Sequence, residues 1–386
     1  MDNLFFNEEH SMLVDMVRDF ANTEIAPIAK DMEKNGKIPK EIISQMAELG
    51  LMGIPIPEKY GGAGMDTVAY AAAVMELAKV DASVAITMAA HTSLGSMPIV
   101  IAGTEEQKQK YLPKLASGKV IGAFGLTEPG AGSDAGSTKT TAELDGDEYV
   151  VNGGKIFITN SSLAGILTLT TNIIENDENK GIGALVTSTD NPGLKIGPKE
   201  KKMGWRASDT RQLFFENMRV PKENVLGQPT DGFKTFMKTL IGGRISVSAL
   251  SCGTAEGAFQ KALQYSTERK AFGKEIHAFQ AVGFKLADMA TDIEAAKLLT
   301  YHAAWMKDQG KDVLKQAAQA KLFASEAAMR ITTEAIQILG GYGYVKEYDV
   351  ERFFRDAKVL EIGEGTSEVQ RMVIARELVK TFSKAA

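Results

Sequence analysis

Glu364 stands between two glycines in Glu361-Ile-Gly-Glu-Gly-Thr-Ser-Glu368, just ahead of the last helical segment. A glutamate in water titrates near about 4.3 and is a poor base, so proton abstraction here would require burial that raises its pKa. Taken alone, the residue is equally one more acid placed favourably near a helix N-terminus. A second feature is Phe124-Gly-Leu-Thr-Glu-Pro-Gly-Ala-Gly-Ser-Asp-Ala-Gly136, a Gly-rich loop beside a predicted strand, suited to cradling phosphate or to making a plain surface turn. Its Gly130-x-Gly132-x-x-x-Gly136 spacing departs from the dinucleotide fingerprint and no strand-helix-strand unit surrounds it, which excludes a Rossmann reading. Arg269, in Glu268-Arg-Lys-Ala-Phe-Gly273, is either a phosphate fork or a solvated arginine at a helix end. His10, His91, His277 and His302 lack metal-ligand spacing, and the single cysteine, Cys252, cannot form an intrachain disulfide; no metal is expected.

Three regions must position these residues, and the hydrophobic period changes between them. Residues 1–118 read as an all-α domain: Leu13, Val17 and Phe20 recur at helical spacing, and Thr104 with Gln107 forms a capping-box start for a helix that Pro113 should close. Residues 119–228 carry short β-branched and aromatic runs, with Asp145-Gly146 and Gly153-Gly154 as hairpin turns, and read as an antiparallel, barrel-like β domain. Residues 229–386 return to long helical segments and read as a four-helix bundle, making the fold class α+β.

The composition is ordinary for a globular chain of 386 residues. A net charge of −5 argues against general affinity for nucleic acid, so an anionic ligand would need a local site. Acids stand where a signal peptide has bases, and no run of about 18 consecutive apolar residues occurs. A soluble, cytoplasmic protein without membrane contact is expected.

Six blocks in order, GLTEPGAGSD, KIFITN, KKMGWRASDTRQLFFENMRVP, ERKAFGKEIHAFQAV, QILGGYGY and RFFRDAKVLEIGEGTSEVQR, make nearly the whole chain resemble the acyl-CoA dehydrogenase family, in its short-chain or butyryl-CoA dehydrogenase form. The resemblance implies a non-covalent FAD, an acyl-CoA substrate, electron-transferring flavoprotein as acceptor, a homotetramer built as a dimer of dimers, and a place in fatty or organic acid metabolism. It implies that Phe124, Leu126, Thr127, Gly132 and Ser133, with Phe157, Ile158 and Thr159, hold the flavin, and that Ser133 also lies near CoA. Arg269, Phe272, Gln280, Gln337, Gly340 and Gly341 would reach the cofactor of a neighbouring subunit, while Thr366 and Glu368 would touch its sugar-phosphate portion. Arg244, Gly363 and Gly365 would face the substrate.

By the same resemblance Glu364 is the catalytic base, taking the α-proton while the β-hydride passes to flavin N5 and trans-2-enoyl-CoA forms. The enolate-like oxygen would be held by the Glu364 N–H and a ribityl hydroxyl. A minority of the family takes its base from the position matching Gly243; here that residue is glycine, so the two positions agree. Gly363 stands where a tyrosine is frequent, which implies a wider pocket for branched, cyclic or aryl acyl groups, and Ile241 stands where an acid is common. Competing readings are an enoyl-CoA reductase running the chemistry in reverse, an oxidase, and a non-catalytic FAD-containing nucleic-acid-binding relative.

Overall fold

The computed structural model describes residues 4–385. Helices come first: α1 (Glu8–Phe20), α2 (Ala29–Asn35), α3 (Lys40–Glu48), α4 (Thr67–Val80), α5 (Ala82–Ala89), α6 (Met97–Ala102) and α7 (Glu105–Ala116). Local sequence explains their starts. The Asn7 side chain accepts from the His10 N–H and the His10 ring accepts from the Asn7 N–H at the head of α1. Thr104 and Gln107 make the same reciprocal cap at α7. That helix runs on through Pro113 to Ala116 instead of closing at it, because a proline within the last turn leaves only one carbonyl without its donor.

Strands β1 (Ile121–Gly125), β2 (Thr141–Asp145), β3 (Glu148–Thr159), β4 (Ala164–Glu175), β5 (Glu178–Ser188), β6 (Leu194–Lys199) and β7 (Thr210–Pro221) form one seven-stranded sheet. It is not the antiparallel barrel expected. β1 and β2 both pair parallel to β4, over Ala164–Leu169 and Asn172–Ile174, whereas β2–β3, β3–β7, β6–β7 and β4–β5 are antiparallel. The sheet stays open because β5 and β6 pair with one strand each. The physical reason is the Gly-rich loop: it leaves the sheet after β1 and returns so that β2 continues along β4 where β1 stopped. Gly146 and Asp147 turn the β2–β3 hairpin, but Gly153-Gly154 lies inside β3, paired with Phe215 and Phe214 of β7 just past a register shift, where a Cβ on Gly153 would strike Thr140.

A small hairpin, β8 (Lys270–Ala271) and β9 (Lys274–Glu275), separates α8 (Gly232–Glu268) from α9 (Gln280–Asp308); α10 (Leu314–Leu339), α11 (Val350–Lys358) and α12 (Ser367–Ala385) follow. The two helical regions share a single core. α4 is buried on every side from Thr67 to Ala78 and packs against α8, so it lies at the centre of the molecule. Buried Arg352 of α11 ties this core together, bonding Asp81 at 2.9 Å and Asp349 at 2.8 Å. The run Ala82–Ala102 is long and apolar enough to cross a membrane, yet 78% of its most apolar stretch is buried inside the protein.

Candidate active site

The Gly363–Thr366 turn between α11 and α12 carries Glu364 with a left-handed backbone, φ +53°. The residue is half-buried, but its Oε2 is shielded from solvent and finds no hydrogen-bond partner among the described residues. It points at α8, where Gly243 has no side chain: a Cβ there would fall on the carboxylate oxygen. Leu94 closes the same spot, its Cδ2 3.3 Å from that Cβ position. Leu94 comes from a widened helical turn, Ala90–Ser96, between α5 and α6. That turn is pinned by buried His91, whose Nδ1 accepts the Gly122 N–H at 2.9 Å while Nε2 donates to the Leu115 carbonyl. Burial pushes His91 down to about 4, so it stays neutral.

Burial raises Glu364 to about 7, against the pull of two cations, Lys321 and Arg244. Arg244 is buried with Nε and Nη1 unpartnered. A carboxylate that is shielded, unpaired and poised near neutrality is equipped to take a proton from a ligand carbon. Gly363 borders open space, with only the Val359 carbonyl near a Cβ built there.

On the sheet, the loop and β3 are joined by a buried network. Lys155 points inward from β3, and its Nζ donates to Glu128 Oε1 (2.7 Å), Thr138 Oγ1 (3.0 Å), Thr170 Oγ1 (3.2 Å) and the Leu126 carbonyl (3.2 Å). Glu128 also accepts from the Thr138 hydroxyl and from the N–H groups of Lys139 and Thr140. Burial works against its charge, but these donors win and hold it at about 2. The loop is thereby clamped at both ends. Its middle is open: Cβ positions on Gly130 and Gly132 meet nothing within 4 Å, and Ser133 is exposed.

Next to it, Phe157 adopts φ +59° and leaves 62% of its surface exposed, while Ile156 N–H bonds the Thr127 carbonyl at 2.8 Å. A large ring held outward by a strained backbone, beside a glycine ledge, fits a flat aromatic cofactor with a phosphate tail such as FAD. Thr127 and Thr159 lie half-buried along this ledge and Ile158 is buried beneath it. Phe124 is taken up by packing, stacked on Phe236 at 4.2 Å. Leu126 is likewise buried.

The remaining expected residues form a second group. Arg269, Gly340 and Gly341 line one open hollow of about 540 Å³, where the guanidinium lies 5.8 Å from the Tyr342 ring centre. Phe272 and Gly273 both have positive φ and turn the β8–β9 hairpin, leaving Phe272 96% exposed. Gln280 and Gln337 are exposed at the ends of α9 and α10. Thr366 already serves the protein itself, its hydroxyl accepting the Val369 N–H at the head of α12, and Glu368 is exposed there. Among the described residues no three His, Cys, Asp or Glu side chains gather as a metal site.

Sequence reasoning missed Lys155, Glu128, Lys321 and Gln370. Two of them carried a signal. Lys155 falls on the inward alternation of β3 after Tyr149 and Val151, and Lys321 sits in the buried stripe Ala317, Ala320, Ala324, Ala328. A charged residue at an inward position needs a partner, and that partner marks the site.

Comparison with known proteins agrees with this geometry. Family profiles described as acyl-CoA dehydrogenase N-terminal, middle and C-terminal domains match residues 7–119, 123–218 and 230–379. The chain is 53% identical to the probable acyl-CoA dehydrogenase YngJ of Bacillus subtilis, over 98% of this chain and 100% of that one. It is 44% identical to a 3-(aryl)acrylate reductase of Clostridium sporogenes, over 98% and 100%. Among solved structures, butyryl-CoA dehydrogenase from Megasphaera elsdenii superposes with a TM-score of 0.95 at 46% identity, covering 98% of this chain and 100% of that one. A chain from a structure described as electron transferring flavoprotein of Acidaminococcus fermentans gives 0.95 at 47% identity, over 97% and 99%. An acyl-CoA dehydrogenase complexed with FAD from Bacillus anthracis gives 0.93 at 35% identity, over 98% and 68%.

Proposed function

The chain belongs to the acyl-CoA dehydrogenase family, FAD-dependent oxidoreductases acting on CH–CH bonds, and from that premise we propose that Glu364 is the base that dehydrogenates an acyl-CoA to its trans-2-enoyl-CoA. One observation carries the assignment: the Glu364 carboxylate is shielded, unpaired and lodged in the notch that Gly243 leaves. Bound FAD would supply the hydride acceptor. The clamped loop, with Thr127, Gly132 and Ser133, and the Phe157–Thr159 ledge would hold and orient it. Glu364 then takes the α-proton onto its carboxylate, and burial favours the protonated product. Its backbone N–H would carry charge developing on the thioester oxygen. Arg244 stands beside the carboxylate as a compensating cation.

Exposed Phe272, Tyr344 and Met372, and the open Arg269 hollow, support a homotetramer in which each subunit completes its neighbour's cofactor site. Electron-transferring flavoprotein is the proposed acceptor, supported by the Acidaminococcus likeness. The proposed location is the cytoplasm. A second reading, reduction of an enoyl thioester, is favoured by the Clostridium sporogenes relative. The open space at Gly363 supports a branched, cyclic or aryl acyl group.

The test is anaerobic bleaching of the flavin by linear, branched, cyclic and aryl acyl-CoA thioesters, in wild type and Glu364→Gln. Bleaching by one class, abolished in the variant, is expected. Equal bleaching in the variant removes Glu364 as the base, and no bleaching of a fully loaded wild type selects the reductive direction.

A further inference from the structure

Two wholly buried side chains grip the turn that presents Glu364. Lys321 of α10 donates from Nζ to the Gly365 carbonyl at 2.8 Å. Gln370 of α12 donates from Nε2 to the same carbonyl at 2.8 Å and to the Glu364 carbonyl at 3.3 Å. The Gly365 oxygen thus receives two donors, one for each lone pair. The grip matters because the turn is strained. A left-handed glutamate is strained and persists only where its surroundings over-determine it. Gly365 follows at φ +92°, with Gln370 Nε2 only 2.7 Å from where a Cβ would stand.

An amide alone would satisfy a carbonyl, whereas a buried ammonium needs a counter-charge. Among the described residues no carboxylate lies within ion-pair distance of Lys321. The charged groups facing it are Glu364, Glu361, Glu368 and Arg244. Glu361 is engaged by Lys358 at 2.6 Å, and Glu368 is exposed. That leaves Glu364 as the shielded anion. The Glu364 carboxylate in turn lies within the electrostatic reach of Lys321 from α10 and Arg244 from α8, with Arg376 of α12 acting on Arg244 and the Tyr70 hydroxyl of α4 within reach of Glu364.

We propose that Lys321 is a positioning residue for the base: it fixes the Gly365 carbonyl together with Gln370, and its charge stabilises the Glu364 carboxylate. The inference rests on Glu364 being the base. The experiment follows anaerobic flavin reduction by an acyl-CoA from about pH 5 to 9 in wild type, Lys321→Met, Lys321→Gln and Glu364→Gln.

Lys321→Met should fold and bind flavin, since Gln370 still satisfies the Gly365 carbonyl and Glu364 can take up a proton once the compensating charge is gone. Its pH–rate midpoint should rise by about one unit and its plateau fall about tenfold, as expected for a lost compensating charge and a loosened base. Lys321→Gln, which keeps a donor without the charge, should share the raised midpoint, and it carries the test if the methionine variant loads flavin poorly. Wild-type midpoints in both variants, beside an inactive Glu364→Gln, would overturn the proposal and leave the base assignment standing. An active Glu364→Gln would instead remove the base assignment, and this inference with it.

Discussion

Gly243 and Glu364, 121 positions apart in the chain, compete for one volume: a Cβ at residue 243 would overlap the Glu364 Oε2. The glycine is therefore what allows the carboxylate to lie between α8 and the head of α12.

Gly243→Ala should consequently displace the carboxylate without disturbing the fold, because the atom struck is the end of a flexible side chain. Misplacement of a base by about 1 Å is enough to slow chemistry about a hundredfold. Single-turnover flavin reduction should fall by ten- to a hundredfold, on that scale, at unchanged flavin content. A wild-type rate would show that the carboxylate moves away from Gly243 before it acts.

Glu364 also opposes stability at high pH. Its ordinary value is 4.5 and burial raises it to about 7. Below 4.5 the carboxyl is protonated in both folded and unfolded chains. As pH rises through this window the unfolded chain releases a proton that the folded one retains, so stability falls until the folded carboxyl ionises near 7. Glu364→Gln should therefore raise the Tm of the flavin-loaded protein more at alkaline than at acid pH, with a gain on the order of 2 kcal/mol, discounted for a half-buried residue. A gap between variant and wild type that ignores pH would mean the carboxylate is solvated in the folded protein.

Lys155→Met should release the loop that the cofactor is proposed to use. It strands Glu128, whose partners hold it at about 2. A depressed carboxyl contributes stability above its ordinary 4.5 and loses that contribution as pH falls towards 2. The variant should accordingly be less stable by about 3–5 kcal/mol at neutral pH, with the deficit shrinking in acid. Flavin affinity, measured by titration of the apoprotein, should weaken as well. Unchanged affinity with lowered Tm would assign the network to the sheet alone.

Gly363→Tyr tests the pocket. The glycine borders open space, so a tyrosine there has room for its first atoms and fills volume beside the base. Activity with branched, cyclic or aryl thioesters should drop at least tenfold relative to a straight short chain, about what one lost fit to a pocket is worth. An unchanged ratio would place the acyl group elsewhere.

Part of this site was readable in advance and part was not, for a physical reason. Glu364, Gly243 and Arg244 lie in short blocks that resemble family motifs, and that resemblance, not their residue types, singles them out. The capping pairs at α1 and α7 and the Asp145-Gly146 turn depend on neighbours within a few residues. Gly153-Gly154 looks like the same kind of signal, yet it continues β3, because the pairing of β3 with β7 and the approach of Thr140 decide its conformation. The stacking of Phe124 on Phe236, more than a hundred residues away in sequence, gave no local signal at all.

By itself the sequence determined the order of helical, strand and helical regions, the α+β class, the family and the identity of the candidate base, since these follow from local periodicity and contiguous motifs. Tertiary structure alone decided that the sheet is open and mixed, that the two helical regions share one core, and that Lys155 and Lys321 reach Glu128 and the Glu364 turn. Those outcomes depend on strand register and on contacts between residues far apart in the chain. Burial then turns a glutamate, a lysine and an arginine, ordinary in water, into groups whose charges depend on one another.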